Sequence, residues 1–251
     1  MKKNHKIYLP YLLKYGIIKA NLAEVRILKI TSINRDEALR YLGYKDNINI
    51  DNLTPILDKC ENELLKAIEP RFIYKFFPIN EVNNTIQVEN TSLVLTGNSI
   101  LNHLKGCYGV ILLSATLSMG ADKVISEHQI NDMTSALILD SMASTAIEQV
   151  CDAAEKEIKE KINKDNFMTW RFSPGYGDLP ITLQREFVRV TDAEKRIGLT
   201  VNEGGILLPR KSVTAIIGLS KEPIPKQRRG CAYCNMNKTC QFRKGGTHCG
   251  F

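Results

Sequence analysis

The chain has 251 residues, 43% apolar and 24% charged, the profile of a globular protein long enough for one large domain or two small ones. No apolar run approaches the roughly 18 residues that span a bilayer. The basic start Met1-Lys2-Lys3-Asn4-His5-Lys6 leads into nothing like a signal-peptide core, so a cytoplasmic protein with no membrane partner is expected. The net charge of +7 is concentrated after residue 220, where Lys221, Lys226, Arg228, Arg229, Lys238, Arg243 and Lys244 face the single acid Glu222. The body is therefore electrically ordinary and the tail is the basic object.

In chain order, Asn34 can cap a short helix over residues 35–42, stopped by Gly43. A second helix starts after Asp51: Leu53, Ile56, Leu57, Cys60, Leu64 and Ile68 keep helical spacing, and Pro70 ends it. Phe72, Tyr74 and Phe76 alternate as in a strand, as do Ile86 and Val88. Ser99 reads as the N-cap of a short helix ending at Gly106. Residues 108–117 form a continuous apolar run, suited to a strand buried on both faces.

A long helix is expected over residues 132–162. Its first half is rich in Ala, Ser and Thr, so that another backbone or a ligand can come close; its second half, residues 155–164, is charged. A helix near residues 183–190 and strands at 197–201 and 212–219 follow. There is no internal repeat and no regular alternation of strand and helix, which favours an α+β fold over a doubly wound sheet.

The segment Arg171-Phe172-Ser173-Pro174-Gly175-Tyr176-Gly177-Asp178 interrupts this pattern. Its glycines and prolines continue neither a helix nor a central strand. Arg171 offers a planar fork of donors suited to a carboxylate, Tyr176 an aromatic face and a hydroxyl, and Ser173 and the loop amides hydrogen-bonding groups. An amino-acid-like or nucleotide-like small molecule would suit such a set. It contains no nucleophilic triad and no pair of catalytic carboxylates. The competing reading is a rigid turn whose arginine pairs with a nearby acid. Glu148, on the small-residue helix, is either a contact for a ligand amine or an ordinary solvated carboxylate.

On Arg171, Gly175 and Tyr176 the chain resembles the activation (reactivation) domain of cobalamin-dependent methionine synthase, whose Arg-x-x-x-Gly-Tyr motif binds S-adenosylmethionine. Ile197-Gly198-Leu199-Thr200, the later Leu208-Pro209-Arg210-Lys211-Ser212-Val213, and the helix Glu37-Ala38-Leu39-Arg40-Tyr41-Leu42-Gly43 extend the resemblance over residues 30–220. Leu-Thr-Val-Asn-Glu-Gly replaces the family's Leu-Thr-Glu-Ser, displacing Glu203. Asn34 and Asp36 are the candidates for the family's N-terminal acidic position.

The resemblance implies a mixed, mainly antiparallel sheet packed with helices over residues 1–220. It implies S-adenosylmethionine held by Arg171, Ser173, Pro174, Gly175, Tyr176 and Glu148. It also implies cobalamin supplied by a separate corrinoid-binding methionine synthase core, and a flavodoxin-like or other electron donor. In the family, one returned electron and one methyl group from S-adenosylmethionine restore a corrinoid that has fallen inactive as cobalt(II). No general base is needed, because methyl transfer to cobalt(I) moves no proton. The chain would be one subunit of a methyltransferase, without turnover alone. Service to another corrinoid protein or methyltransferase is the alternative.

Residues 221–251 form a second unit. Cys60, Cys107 and Cys151 sit in apolar patterns and read as buried small hydrophobes. Cys231, Cys234, Cys240 and Cys249 crowd the tail, and in a cytosolic chain such clustering points to a metal, zinc or an iron–sulfur cluster. His248 is a possible substitute ligand. The basic charge suits an acidic protein partner. A nucleic-acid-binding sensor module is the reading from another class, but beyond Tyr233, Phe242 and Phe251 the tail lacks the interleaved aromatics of such surfaces.

Overall fold

The computed structural model describes residues 25–44 and 51–224. Its centre is an antiparallel sheet. Strand β1 (Arg26–Ile27) pairs with β2 (Arg71–Val82), and the main path runs β4 (Val94–Thr96), β3 (Thr85–Val88), β2, β5 (Gly109–Thr116), β9 (Ser212–Ser220), β6 (Phe167–Met168). A separate two-stranded piece joins β7 (Thr200–Val201) to β8 (Leu207–Leu208). The fold is α+β, mixed and mainly antiparallel, as expected.

Strand β5 lies between β2 and β9, paired along its whole length, and all eight of its residues are buried. That is why its sequence is apolar without alternation. The faces still alternate in detail. Ile111, Leu113 and Ala115 join Phe72, Tyr74, Phe76, Ala215 and Ile217 in a large core under four helices. These are α1 (Arg35–Tyr41), α2 (Thr54–Ala67), α4 (Met119–Asn131) and α5 (Met133–Lys161). Val110, Leu112 and Ile216 point the other way, towards α3 (Asn98–His103), α6 (Gln184–Thr191) and the fully buried Phe187. A third, smaller cluster gathers Ile73, Val188 and Leu199 with Ala193 and Ile197 of α7 (Ala193–Ile197).

Local chemistry sets several helix ends. The Asn34 side chain accepts from the Glu37 amide at 3.2 Å and caps α1, while Gly43 takes φ +85° just beyond it. Asp132 accepts from Ser135 N–H at 3.1 Å and caps α5. The small residues of α5 admit a backbone: the Ser141 hydroxyl donates to the Ala38 carbonyl of α1. Gly120 plays a similar part, since a Cβ there would lie 1.8 Å from the Ala67 carbonyl oxygen at the end of α2. Gly120→Ala must force α4 off α2, and we expect a loss of about 2–3 kcal/mol in urea denaturation. Unchanged stability would show that this helix crossing is loose.

Two expectations need correction. Ser99 does not cap α3; the N-cap is Gly97 at φ +118°, and the cap is supplied from far along the chain by Asp178. Residues 197–201 are not one strand. Ile197 ends α7, Gly198 turns at φ +71°, and only Thr200–Val201 is extended. Cys60 and Cys151 are buried and Cys107 is partly so, all as free thiols. The tail cysteines lie outside the described residues. Among those that are described, no helix is long and apolar enough to cross a membrane.

Candidate functional site

The segment leading into the Arg171 loop follows the edge of β9. Thr169 N–H donates to the Gly218 carbonyl at 3.0 Å, and Phe172 exchanges two bonds with Ile216, at 3.0 and 2.8 Å. Extended backbone sends successive side chains to opposite sides. Trp170 and Phe172 pack on His103 of α3, with ring centroids 4.6 and 5.0 Å away. Arg171, between them, reaches α5 instead.

There its guanidinium meets three carboxylates. One nitrogen lies 2.9 Å from Glu148; the other lies 2.9 Å from Asp152 and 3.3 Å from Glu155. The acids stand at i, i+4 and i+7 and so share one helix face. The expectation of an arginine paired with a nearby acid is realised, and one of the acids is Glu148. Burial would lower the Arg171 pKa, but electrostatic interaction with Cys151 and the three carboxylates raises it on balance. Glu148 moves the other way from a typical ion-paired acid. Desolvation pushes its carboxyl up, Arg171 only partly offsets this, and Asp152 and Glu37 add to the rise.

Beyond Phe172 the loop closes on itself. Gly175 N–H donates to Leu179 O at 2.8 Å, Tyr176 N–H to Ser173 O at 3.1 Å, and Leu179 N–H to Tyr176 O at 3.1 Å. The amides of Gly175 and Tyr176 are thus engaged inside the loop. Gly175 and Gly177 take φ of +95° and +56°, which the tight path requires. Pro174 is buried and shapes the turn, Ser173 is half-buried, and Tyr176 at the tip is 68% exposed.

Asp178 anchors the loop's far end. Its carboxylate accepts from Asn98 N–H at 2.7 Å and from Ser99 N–H at 2.9 Å, and these bonds hold it below the usual aspartate range. A depressed folded pKa stabilises above the ordinary value of 3.8 and loses that stabilisation as pH falls through the folded value. Asp178→Ala should therefore lower the melting temperature at neutral pH and speed amide exchange over residues 173–179. The gap from wild type should close in acid; a gap independent of pH would contradict the capping role.

The facing wall is α1. Asn34 N–H donates to the Gln149 side chain at 3.2 Å, and Gln149 returns a bond to Ser32 O at 3.1 Å, which locks the start of α1 to the turn beside Glu148. Glu37 holds Arg40 through two bonds of 2.8 and 2.6 Å. Tyr41, 43% exposed, lies within electrostatic reach of Glu148, Glu37 and Tyr176. The Asn34 side chain is occupied by its capping bond and Asp36 is exposed. On the other flank, Lys211 ties the start of β9 to α5, with its ammonium 2.8 Å from the Asp140 carboxylate and 2.9 Å from the Ser144 hydroxyl.

The site therefore brings together Arg171, Glu148 and the Tyr176 loop, with Tyr41 and Glu37 of α1 within electrostatic reach of Glu148. Asp152, Glu155 and Tyr41 were not anticipated from the sequence. The acids' one-face spacing, just past the small-residue half of α5, is the signal that could have found two of them.

No protein-family model and no curated protein sequence matches the chain. Solved structures do. The chain is similar to the crystal structure of the MetH reactivation domain bound to AdoHcy, with a TM-score of 0.63 and 14% sequence identity, over 91% of this chain and 87% of that one. At that identity the likeness establishes the fold: this chain folds as the MetH reactivation domain does.

Proposed function

We propose that the chain binds S-adenosylmethionine and serves as a reactivation subunit for the corrinoid of a separate methionine synthase core. The observation that carries this is the Arg171–Glu148 pair, 2.9 Å apart at the base of the Tyr176 loop, in a fold whose solved counterpart holds AdoHcy. A fork of donors beside a half-buried carboxylate matches the two charges of an amino-acid zwitterion. The ligand carboxylate takes Arg171 while Glu148 turns to the ammonium or sulfonium. Asp152 and Glu155 keep the guanidinium aimed meanwhile. Ser173, Pro174 and Gly175 shape the loop, and Tyr176 presents its ring at the edge.

Around that loop several large apolar side chains stand exposed, among them Tyr176, Ile181, Ile206 and Leu208. Ile181 links two glycine turns, since a Cβ on Gly175 would lie 3.7 Å from its side chain and one on Gly205 would lie 3.1 Å from its carbonyl. An apolar rim at the ligand mouth suits a partner that presents a large, flat cofactor there. The corrinoid would supply the nucleophile that accepts the methyl group; this chain's residues bind and orient the donor. An electron donor, flavodoxin-like or other, completes the proposed set.

The division at residue 220 and the four-thiolate tail site of Cys231, Cys234, Cys240 and Cys249, for zinc or an iron–sulfur cluster, remain part of the proposal on sequence grounds. A colourless, zinc-only preparation made without oxygen would rule out electron delivery by the tail.

The decisive test is thermal unfolding with S-adenosylmethionine, S-adenosylhomocysteine, adenosine and methionine in parallel. A ligand at 100 times its Kd should add about 2.7 kcal/mol. Stabilisation by the first two is expected; none from either would end the proposal.

A further inference from the structure

The strand that carries Arg171 holds one residue more than the stretch of β9 it pairs with. Met168 lies opposite Leu219, and in the same register Thr169 N–H donates to Gly218 O at 3.0 Å. Phe172 lies opposite Ile216, one position out of that register. Trp170 and Arg171 therefore oppose Ile217 alone, the two-against-one arrangement of a β-bulge. The side chains show its consequence. Met168 packs into the large core on the α5 side, whereas Thr169 and Trp170 both turn to His103 of α3. Alternation then resumes, so Arg171 meets Glu148 and Phe172 returns to His103. In an unbroken strand continuing from Met168, Trp170 would face α5 and Arg171 would face α3, away from its acids.

One buried hydroxyl holds the bulge. The Gly218 N–H meets no backbone carbonyl here; it donates to Thr169 Oγ1 at 2.7 Å. The same oxygen lies 2.9 Å from His103 Nε2 and 3.1 Å from Trp170 O. Gly218 leaves space for this packing, since a Cβ there would lie 2.6 Å from Cys107 Sγ and 3.0 Å from Thr169 Cγ2. We propose that Thr169 and His103 are positioning residues for Arg171, holding the bulge that turns its guanidinium to the Glu148 face of the sheet. The inference rests on the S-adenosylmethionine reading for its ligand and goes beyond it by naming what aims the arginine. Both residues act from the far face of the strand and touch no ligand. A valine at 169 keeps the branched shape but cannot accept the Gly218 N–H, so a buried donor goes unmet and the regular register competes. A serine keeps the hydroxyl.

The test is calorimetric titration of the full chain with S-adenosylmethionine, well below the melting temperature of each protein, using wild type, Thr169→Ser, Thr169→Val and His103→Phe. Thr169→Val should weaken binding at least ~10-fold, and Thr169→Ser should restore it to within about 3-fold of wild type. His103→Phe keeps a ring against Trp170 and Phe172 but loses the nitrogen beside the hydroxyl, and should weaken binding roughly 3- to 10-fold. It also supplies the test if valine prevents folding. Trp170 is the only tryptophan in the chain, so its emission without ligand reports the bulge directly. The emission should shift in Thr169→Val and hold in Thr169→Ser. Wild-type affinity in Thr169→Val, whatever its melting temperature, or equal losses in the serine and valine variants, overturns the positioning role and leaves the site reading intact. Failure of wild type to bind overturns both.

Discussion

Replacing Arg171 by alanine is expected to abolish measurable S-adenosylmethionine binding, weakening it at least ~100-fold, or about 2.7 kcal/mol. The loss has two sources. The ligand carboxylate loses a two-pronged charged partner, and the acids that Arg171 now neutralises are left facing the ligand site. Glu148, Asp152 and Glu155 lie within 2.9, 2.9 and 3.3 Å of the guanidinium. Without it they repel one another along successive turns of α5. Fold stability should fall as well, by roughly 1–2 kcal/mol, because solvent screens acids that are themselves partly exposed. Arg171→Lys separates the two effects. Its point charge should recover much of the stability, while a single ammonium cannot span three acids and a ligand carboxylate, so binding should stay weak. Urea denaturation and calorimetry measure the two quantities. Binding by Arg171→Ala at wild-type strength would remove Arg171 from the site.

Glu148→Gln should give the opposite combination: binding of the cationic ligand weakened ~30-fold or more, with ligand-free stability unchanged within about 0.5 kcal/mol or slightly raised. Arg171 keeps Asp152 and Glu155 in this variant. What disappears is a carboxylate that desolvation makes costly to ionise, as its raised pKa shows. The sign follows from linkage. A carboxyl whose folded pKa exceeds the ordinary 4.5 binds more protons folded than unfolded just above that pH. Its contribution to stability therefore falls as pH rises through this window.

Ligand affinity runs the other way. The cation needs the carboxylate ionised, so binding is full at neutral pH and declines on acidification, beginning above pH 4.5. In Glu148→Gln both dependences should vanish. A variant that binds normally, or a wild type whose affinity is flat through that range, would show that Glu148 only props Arg171. Asp178 offers an internal contrast: its carboxyl is held low by backbone amides, so its stabilising effect is lost at a lower pH.

Much of this molecule was legible along the chain. The cap at Asn34, the apolar spacing of α2, and the doubly buried run of β5 each follow from interactions within a few residues or from a single period, and each came out where expected. The Gly–Pro loop after Arg171 was also evident, because only a special path uses those residues so densely.

Tertiary packing decided the rest. The alternation of Ile197, Leu199 and Val201 is compatible with strand or helix end. Burial of Ile197 against Ile73 and Val188, with Gly198 in the left-handed region, selected the helix end. Ser99 looked like a cap because it sits beside a helix start, yet Asp178, brought in from nearly 80 positions away, takes the orphan amides. The same holds for the site. Composition alone announced a polar, donor-rich loop at Arg171. That its guanidinium faces an acidic stripe on α5, close to α1, depends on β9 aligning the loop's entry and on Ser141 letting α1 approach. Local sequence carries the residue types and their turns; only the folded sheet sets which distant charges share one site, because charge pairing depends on distance in space and not along the chain.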